Sequence, residues 1–218
     1  GFKDLESGPL AIKRTNLNGV VSQSELNLDF ISYDDEEVLM HFGSTLSRKR
    51  NDQGIEDLLF RLKLDDLILN KKPWTIPNDN SVAYGDNLIT FNNFKLSNES
   101  QSVELRSDLT GVDKDHVALL LNNFRLQALL SLLNPDEKLA SGSLNGELVL
   151  EDVFGKMGFT ADLNIQDLNV FEVPLGVLTL DADSGSGDLY TMNMTLKGDD
   201  VDMELAGDYR VDPVAAQI

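Results

Sequence analysis

Leu62-Lys63-Leu64-Asp65-Asp66-Leu67-Ile68-Leu69, Ile89-Thr90-Phe91-Asn92-Asn93-Phe94-Lys95-Leu96, Leu119-Leu120-Leu121-Asn122-Asn123-Phe124-Arg125-Leu126 and Leu163-Asn164-Ile165-Gln166-Asp167-Leu168-Asn169-Val170 share one cadence. It reads apolar, any, apolar, two polar residues, apolar, any, apolar. Each half alternates with period two, the pattern of a strand with one buried face. The polar pair shifts the phase by one residue, so on a straight strand the second half would turn its apolar side chains the wrong way. A bulge or sharp bend at the pair restores the facing, and Asp and Asn tolerate such backbone geometry. The shared slip predicts a repeated structural unit. Asp65-Asp66, Asn92-Asn93, Asn122-Asn123 and Gln166-Asp167 are expected at bulges or kinks, with apolar residues on both sides facing one interior.

Outward from these copies the alternation continues. Leu26, Leu28 and Phe30 share a face, Asp34-Asp35-Glu36-Glu37 turns the chain, and Val38, Met40 and Phe42 return. Residues 1–24 are weakly patterned and suggest short strands around Asn18-Gly19, while Ser47 to Gly54 reads as a charged loop. Its Arg48-Lys49-Arg50 is better explained by that loop than by a basic targeting patch in so acidic a chain. Lys71-Lys72-Pro73-Trp74-Thr75-Ile76-Pro77 carries two prolines that restrict ladder bonding, and a boundary between sub-units is placed near 71–77 within a single β-rich segment spanning 1–218. Ser97-Asn98-Glu99-Ser100 predicts a hairpin, followed by a strand through Val103, Leu105 and Leu109. Leu126, Leu129, Leu130 and Leu133 recur at helical spacing before Asn134-Pro135, predicting one short helix near 126–133.

From Gly142 onward Leu144, Leu148 and Leu150, then Phe159, Ala161, Leu163 and Ile165, then Leu178, Leu180 and Ala182 alternate in turn. Tyr190, Met192, Met194 and Leu196 follow, then Val201, Met203, Leu205, Tyr209 and Val211. Tight polar turns at 183–188 and 197–200 separate the later runs. This is an antiparallel meander with one apolar face. The predicted fold is all-β: an elongated, folded-over antiparallel sheet with one helix.

The chemistry of the chain is sparse. Asp and Glu number 37 against 18 Lys and Arg, a formal charge of -19, which disfavours nucleic acid and anionic membrane surfaces. No cysteine is present, so disulfides, thiolate catalysis and cysteine-ligated zinc are excluded. No apolar run approaches the roughly 20 residues of a membrane helix. The opening Gly1-Phe2-Lys3 reads as the start of a piece of a longer protein. Asp181 to Asp188 invites a calcium reading, but the twelfth position of an EF-hand loop falls on Met192 and strands stand where helices belong. His41 and His116 are the only histidines, and neither a nucleophile elbow nor a phosphate-binding glycine loop accompanies them. No catalysis, metal or cofactor is expected. A carbohydrate-binding site would need clustered aromatics near paired acids, and Trp74 stands alone among Pro, Lys and Thr.

Gly142-Ser143-Leu144-Asn145-Gly146-Glu147-Leu148-Val149-Leu150 leads through Phe159-Thr160-Ala161-Asp162-Leu163-Asn164-Ile165-Gln166-Asp167-Leu168 to Pro174-Leu175-Gly176-Val177-Leu178-Thr179-Leu180-Asp181-Ala182. The series runs from a glycine-punctuated strand, through a strand ending in Asp-Leu, to Leu-Gly-x-Leu-x-Leu-x-Ala. It resembles the TamB family of translocation and assembly module proteins, in the Bacteroidetes-type form, over roughly Ile55 to Val211. The resemblance implies an AsmA-like "β-taco", a half-open trough that forms the body of an envelope protein. Such a protein is anchored in the inner membrane and spans the periplasm of a Gram-negative bacterium. It implies phospholipid transport and outer-membrane protein assembly beside a TamA-type barrel, with no catalytic residues. On this reading Phe159, Ala161, Leu163, Ile165, Met192, Met194 and Leu196 line a groove for phospholipid acyl chains. Two alternatives stay open. The same residues form a dry core, or the protein is a scaffold whose strand edges hold outer-membrane protein strands by β-augmentation.

Overall fold

A computed structural model describes residues 2–7, 10–50, 54, 56–65, 67–133, 139–184 and 189–210. The alternating runs form antiparallel strands throughout, because hairpin turns separate them and each presents one apolar face. The first sheet contains β1 (Phe2–Ser7), β2 (Leu10–Ser22), β3 (Glu25–Asp34), β4 (Glu37–Arg50) and β5 (Glu56–Leu62), then β8 (Ser81–Gly85) and β9 (Leu88–Asn92). Its order is β1-β2-β3-β4-β5-β8-β9. Two short strands, β6 (Ile68–Leu69) and β7 (Lys72–Pro73), pair beside β4. The second sheet is an unbroken meander. It runs β10 (Phe94–Asn98), β11 (Gln101–Arg106), β12 (His116–Arg125), β13 (Ala140–Glu151), β14 (Gly158–Val170), β15 (Val173–Asp183), β16 (Leu189–Lys197) and β17 (Asp202–Arg210). Helix α1 (Leu126–Leu133) follows β12 directly, at the expected position. The sheets do not close into a barrel.

The cadence explains where the chain bends. Asn93, Asn123 and Asp167 have φ of 45°, 47° and 51°, the left-handed conformation that Asn and Asp tolerate better than other side chains. In β12 the register against β13 shifts between Leu121 and Phe124, and in β14 the register against β15 shifts between Ile165 and Leu168. One left-handed residue is thus inserted and the next apolar side chain returns to the inner face. Phe124 and Leu168 are buried while Asn122, Asn123, Gln166 and Asp167 are exposed. At Asn93 the same device has a larger result: the chain leaves β9 in the first sheet and enters β10 in the second. The Asn92 and Asn93 side-chain amides both donate to Asp79, at 2.7 and 2.6 Å. This passage between sheets falls at Asn92-Asn93.

The first copy behaves differently. β5 ends at Leu62, Lys63 to Asp65 are exposed, and Leu64 turns outward before Leu67 re-enters the core. Asp66 lies outside the described residues. Asp65 lies beyond the end of β5, and Ile68-Leu69 pairs with β4 rather than continuing β5.

Other expectations change for local reasons. The weakly patterned start forms two strands, β1 and β2, and β2 runs straight through Asn18-Gly19 with Gly19 opposite Leu28. The turn comes at Gln23-Ser24, both at positive φ. Ser47 to Arg50 extends β4, since β5 supplies a full ladder and Glu56 lies 3.9 and 3.6 Å from Arg48 and Arg50. Leu109 falls beyond β11. The 185–188 turn and the Asn134-Pro135 stop lie outside the described residues.

The closed core sits at the fold between sheets. Leu67, Trp74, Ile76, Phe94 and Phe124 are buried together, with Phe42, Phe60, Leu62, Leu69, Val82 and Phe91 from the first-sheet side and Leu96, Val103, Leu105, Leu121 and Ala128 from the second. Trp74 packs 5.9 Å from Phe124 and Phe60 lies 6.5 Å from Phe94, ring centre to ring centre. In 71–77 the buried Trp74 and Ile76 alternate with exposed Pro73, Thr75 and Pro77, so the segment lies over the core and sends two side chains into it. Thr75 bridges Ser97 by two 2.9 Å backbone bonds, which covers the outer edge of β10.

Candidate functional site

The apolar face of the second sheet does not end with this core. In an antiparallel ladder directly opposed residues point to the same side, so the pairings across β13 to β17 assemble rows. One row is Leu148, Ala161, Ala182, Met192 and Gly207; the next is Gly146, Leu163, Leu180, Met194 and Leu205; a third is Leu144, Ile165, Leu178, Leu196 and Met203. A fourth joins Leu150 to Phe159 and Tyr190 to Tyr209 through ring contacts at 5.7 and 6.4 Å. All seven residues expected to line a groove therefore share one face. None belongs to the closed core cluster.

This face spans five strands about 4.8 Å apart and four rows about 6.8 Å apart, an area on the order of 400 Å². Its accessibility is uneven even within one strand, as β16 shows. Leu144 and Leu196 are 7% and 8% exposed, Met192 is 39%, and Met203, Leu205 and Tyr209 are 43%, 47% and 68%. The accessible part of this footprint, at Met192, Met203, Leu205 and Tyr209, makes the face a candidate contact surface. Methionines at 192, 194 and 203 add polarizable, unbranched side chains that adjust to irregular apolar ligands.

The opposite face has the contrary character. Glu147, Asp162, Asp181 and Asn193 form one row, and Asn145, Asn164, Thr179, Thr195 and Glu204 another. The Thr179 and Thr195 hydroxyls hydrogen-bond to each other. The two sides of one sheet thus separate apolar contact from acidic, solvated surface.

The titratable groups elsewhere serve structure. His116 is buried at the start of β12; its Nδ1–H donates to the Lys114 carbonyl and its Nε2 accepts the Leu109 N–H, both at 2.9 Å. Both ring nitrogens are therefore committed to the backbone. His41 Nε2 lies 2.9 Å from Asp29 Oδ1. Lys71 bridges Glu37 and Asp34 at 2.8 and 2.9 Å, and their hydrogen bonds push its ammonium pKa upward. Arg106 bonds Asp108 at 2.9 Å and holds that carboxyl below the usual range. Among the described residues no three His, Cys, Asp or Glu side chains gather to hold a metal.

Three positions escaped the sequence reading. Trp74 and Ile76 are core residues despite their proline-flanked segment, and Asn80, 0% exposed, ties the end of β5 to the 77–80 turn. Trp74 has a signal, since a lone tryptophan in an extended Pro-flanked segment is a strong candidate for burial. Asn80 has none, because nothing distinguishes it from Asn78.

Fold and surface together define an all-β, two-sheet protein whose one-faced strands extend beyond their closed core. The chain matches no family model, no curated protein and no solved structure. No helix among the described residues is long and apolar enough to cross a membrane.

Proposed function

We propose that this chain is a non-enzymatic segment of a TamB-like protein and that its β13–β17 face carries phospholipid acyl chains toward the outer membrane. The observation that carries this reading is the placement of all seven groove residues on one face and outside the closed core cluster. The ordered resemblance from Gly142 to Ala182 supports it. The physical basis is simple: each methylene removed from water contributes about 0.8 kcal/mol, without demanding one geometry. The parent protein would be anchored in the inner membrane, cross the periplasm and work beside a TamA-type barrel. Its part in assembling outer-membrane proteins belongs to the same proposal.

Photo-crosslinking tests it. Leu163 and Met194 lie in one apolar row, whereas Asn164 and Thr195 lie in one polar row on the opposite face. A photoreactive residue at Leu163 or Met194 should capture lipid from Gram-negative cells, and one at Asn164 or Thr195 should not. Equal labelling on both faces, or none at the apolar positions, would defeat the proposal and leave the dry-core reading.

A further inference from the structure

The turn between β14 and β15 breaks a rule that comparable turns keep. Four two-residue hairpin turns among the described residues hold both central residues at positive φ: Gln23-Ser24, Asn70-Lys71, Asp86-Asn87 and Phe171-Glu172. Such turns favour Asn, Asp and Gly, because a left-handed backbone crowds a larger side chain. The first three carry polar residues throughout. The fourth places a phenylalanine at φ 48° and leaves it 70% exposed, the most exposed aromatic side chain among the described residues. Backbone preference and hydrophobicity both argue against Phe171 here, and exceptions of this kind concentrate at functional positions.

Phe171 also stands where the apolar face ends. Beyond the row of Leu144, Ile165 and Leu178 comes Leu168, and two residues further along β14 Val170 pairs with Ala140 on one side and Val173 on the other. Val173 is 55% exposed. The hairpin lies inside the meander, with β13 and β16 as the neighbours of its two strands. Its surroundings are acidic. Glu172 shares the turn, and the adjacent 197–200 turn brings exposed Asp199 and Asp200 to the same end of the sheet, with Lys197 beside them. Exposed aromatic side chains partition into the boundary between lipid headgroups and acyl chains. The carboxylates around this one are repelled by an anionic surface and suit headgroups that carry an ammonium group.

We propose that the β14–β15 tip is a membrane-contact site. Phe171 and Val173 insert into the interface of a zwitterionic phospholipid bilayer, while Glu172, Asp199 and Asp200 face its ammonium groups. The contact brings acyl chains to the end of the β13–β17 face. In that role it rests on the lipid reading; the insertion itself does not.

The test uses the whole chain with vesicles of phosphatidylcholine and phosphatidylethanolamine, read by flotation and by quenching from lipids brominated in their acyl chains. Phe171→Trp places a reporter at the tip, and the native chain, whose Trp74 is 5% exposed, is the reference. The variant's added emission should be quenched and the native emission should not. Phe171→Asn suits the left-handed backbone, so it should leave the urea midpoint unchanged or higher while vesicle binding falls about tenfold. Adding phosphatidylglycerol to the vesicles should weaken binding of the native chain. Unquenched Phe171→Trp emission, equal binding by Phe171→Asn, or stronger binding to vesicles with phosphatidylglycerol would each overturn the proposal. So would a lower urea midpoint for Phe171→Asn, which marks a packing role, or self-association in sedimentation that Phe171→Asn abolishes, which marks a second copy as the occupant. Lipid capture at Leu163 or Met194 keeps the two readings apart. Capture that persists without insertion sinks this proposal alone, and insertion without capture sinks the lipid reading alone.

Discussion

Replacing Asn80 with alanine should unfold more of the protein than any surface change of similar size. The Asn80 side chain is fully buried. Its Oδ1 accepts the Leu62 N–H at 2.9 Å, while its Nδ2 donates to the Leu62 carbonyl at 2.9 Å and the Pro77 carbonyl at 2.7 Å. The amide thus continues the ladder where β5 stops. In Asn80→Ala the Pro77 carbonyl keeps the Asn80 backbone N–H, at 3.1 Å, but both backbone groups of Leu62 lose their partner. Two such groups left unpaired at about 1–2 kcal/mol each give a loss of about 2–4 kcal/mol. For a chain of this size that lowers Tm by roughly 5–15 °C. Trp74, the sole tryptophan and 5% exposed, reports unfolding directly through its emission in a urea titration. Asn80→Asp adds a control on mechanism. One oxygen still accepts from Leu62, but the other faces two carbonyl oxygens, so burial and repulsion raise the folded-state pKa above the unfolded value of about 3.9. The folded variant then binds more protons than the unfolded one between those two pKa values. Its deficit relative to the native chain is full above the folded pKa and shrinks as pH falls toward the unfolded one. An Asn80→Ala loss below about 0.5 kcal/mol, well under one unpaired group, would refute the reasoning, as would an Asn80→Asp deficit that does not vary with pH.

Gly146 has φ of 124°, and a Cβ there would lie 1.9 Å from the Asp162 backbone oxygen; Gly146→Ala should cost about 3 kcal/mol or more, read by the same urea titration. At the β12 bulge, Asn123→Gly should change stability little and Asn123→Val should cost about 1–2 kcal/mol, because a β-branched residue is strained at positive φ. Asp108, held below the usual carboxylate range chiefly by its hydrogen bond from Arg106, should titrate at higher pH by carbon NMR in Arg106→Gln. Since its folded pKa is depressed, its contribution to stability is present above the unfolded pKa and is lost as pH falls through the folded one; in Arg106→Gln that loss should shrink.

The cadence made most of this fold legible before any coordinates. A period of two with a one-residue slip admits few solutions, and Asn93, Asn123 and Asp167 adopt the left-handed conformation that repairs the facing. The same reading failed at Leu62 to Leu69, where the chain joins a different neighbour. Local pattern constrains which face a residue prefers, but not which strand lies beside it. Ser47 to Arg50 shows the complementary error: four polar residues read as a loop because their ladder partner, β5, exerts no local signal.

By itself, then, the sequence determined the class of structure, the short helix at 126–133 and the membership of the apolar face on β14 and β16, since these follow from the alternation of neighbouring side chains. Only the tertiary structure decided where that face is covered. The chain turns from one sheet to the other at Asn93, and Trp74 and Ile76 fill the space this creates, so the core closes around β4 to β12. Burial depends on what lies opposite a surface, and the elements opposite come from distant parts of the chain. For that reason Phe124, in one copy of the cadence, sits in a closed core, while Leu163, in another, belongs to the face that runs on past it to an exposed edge.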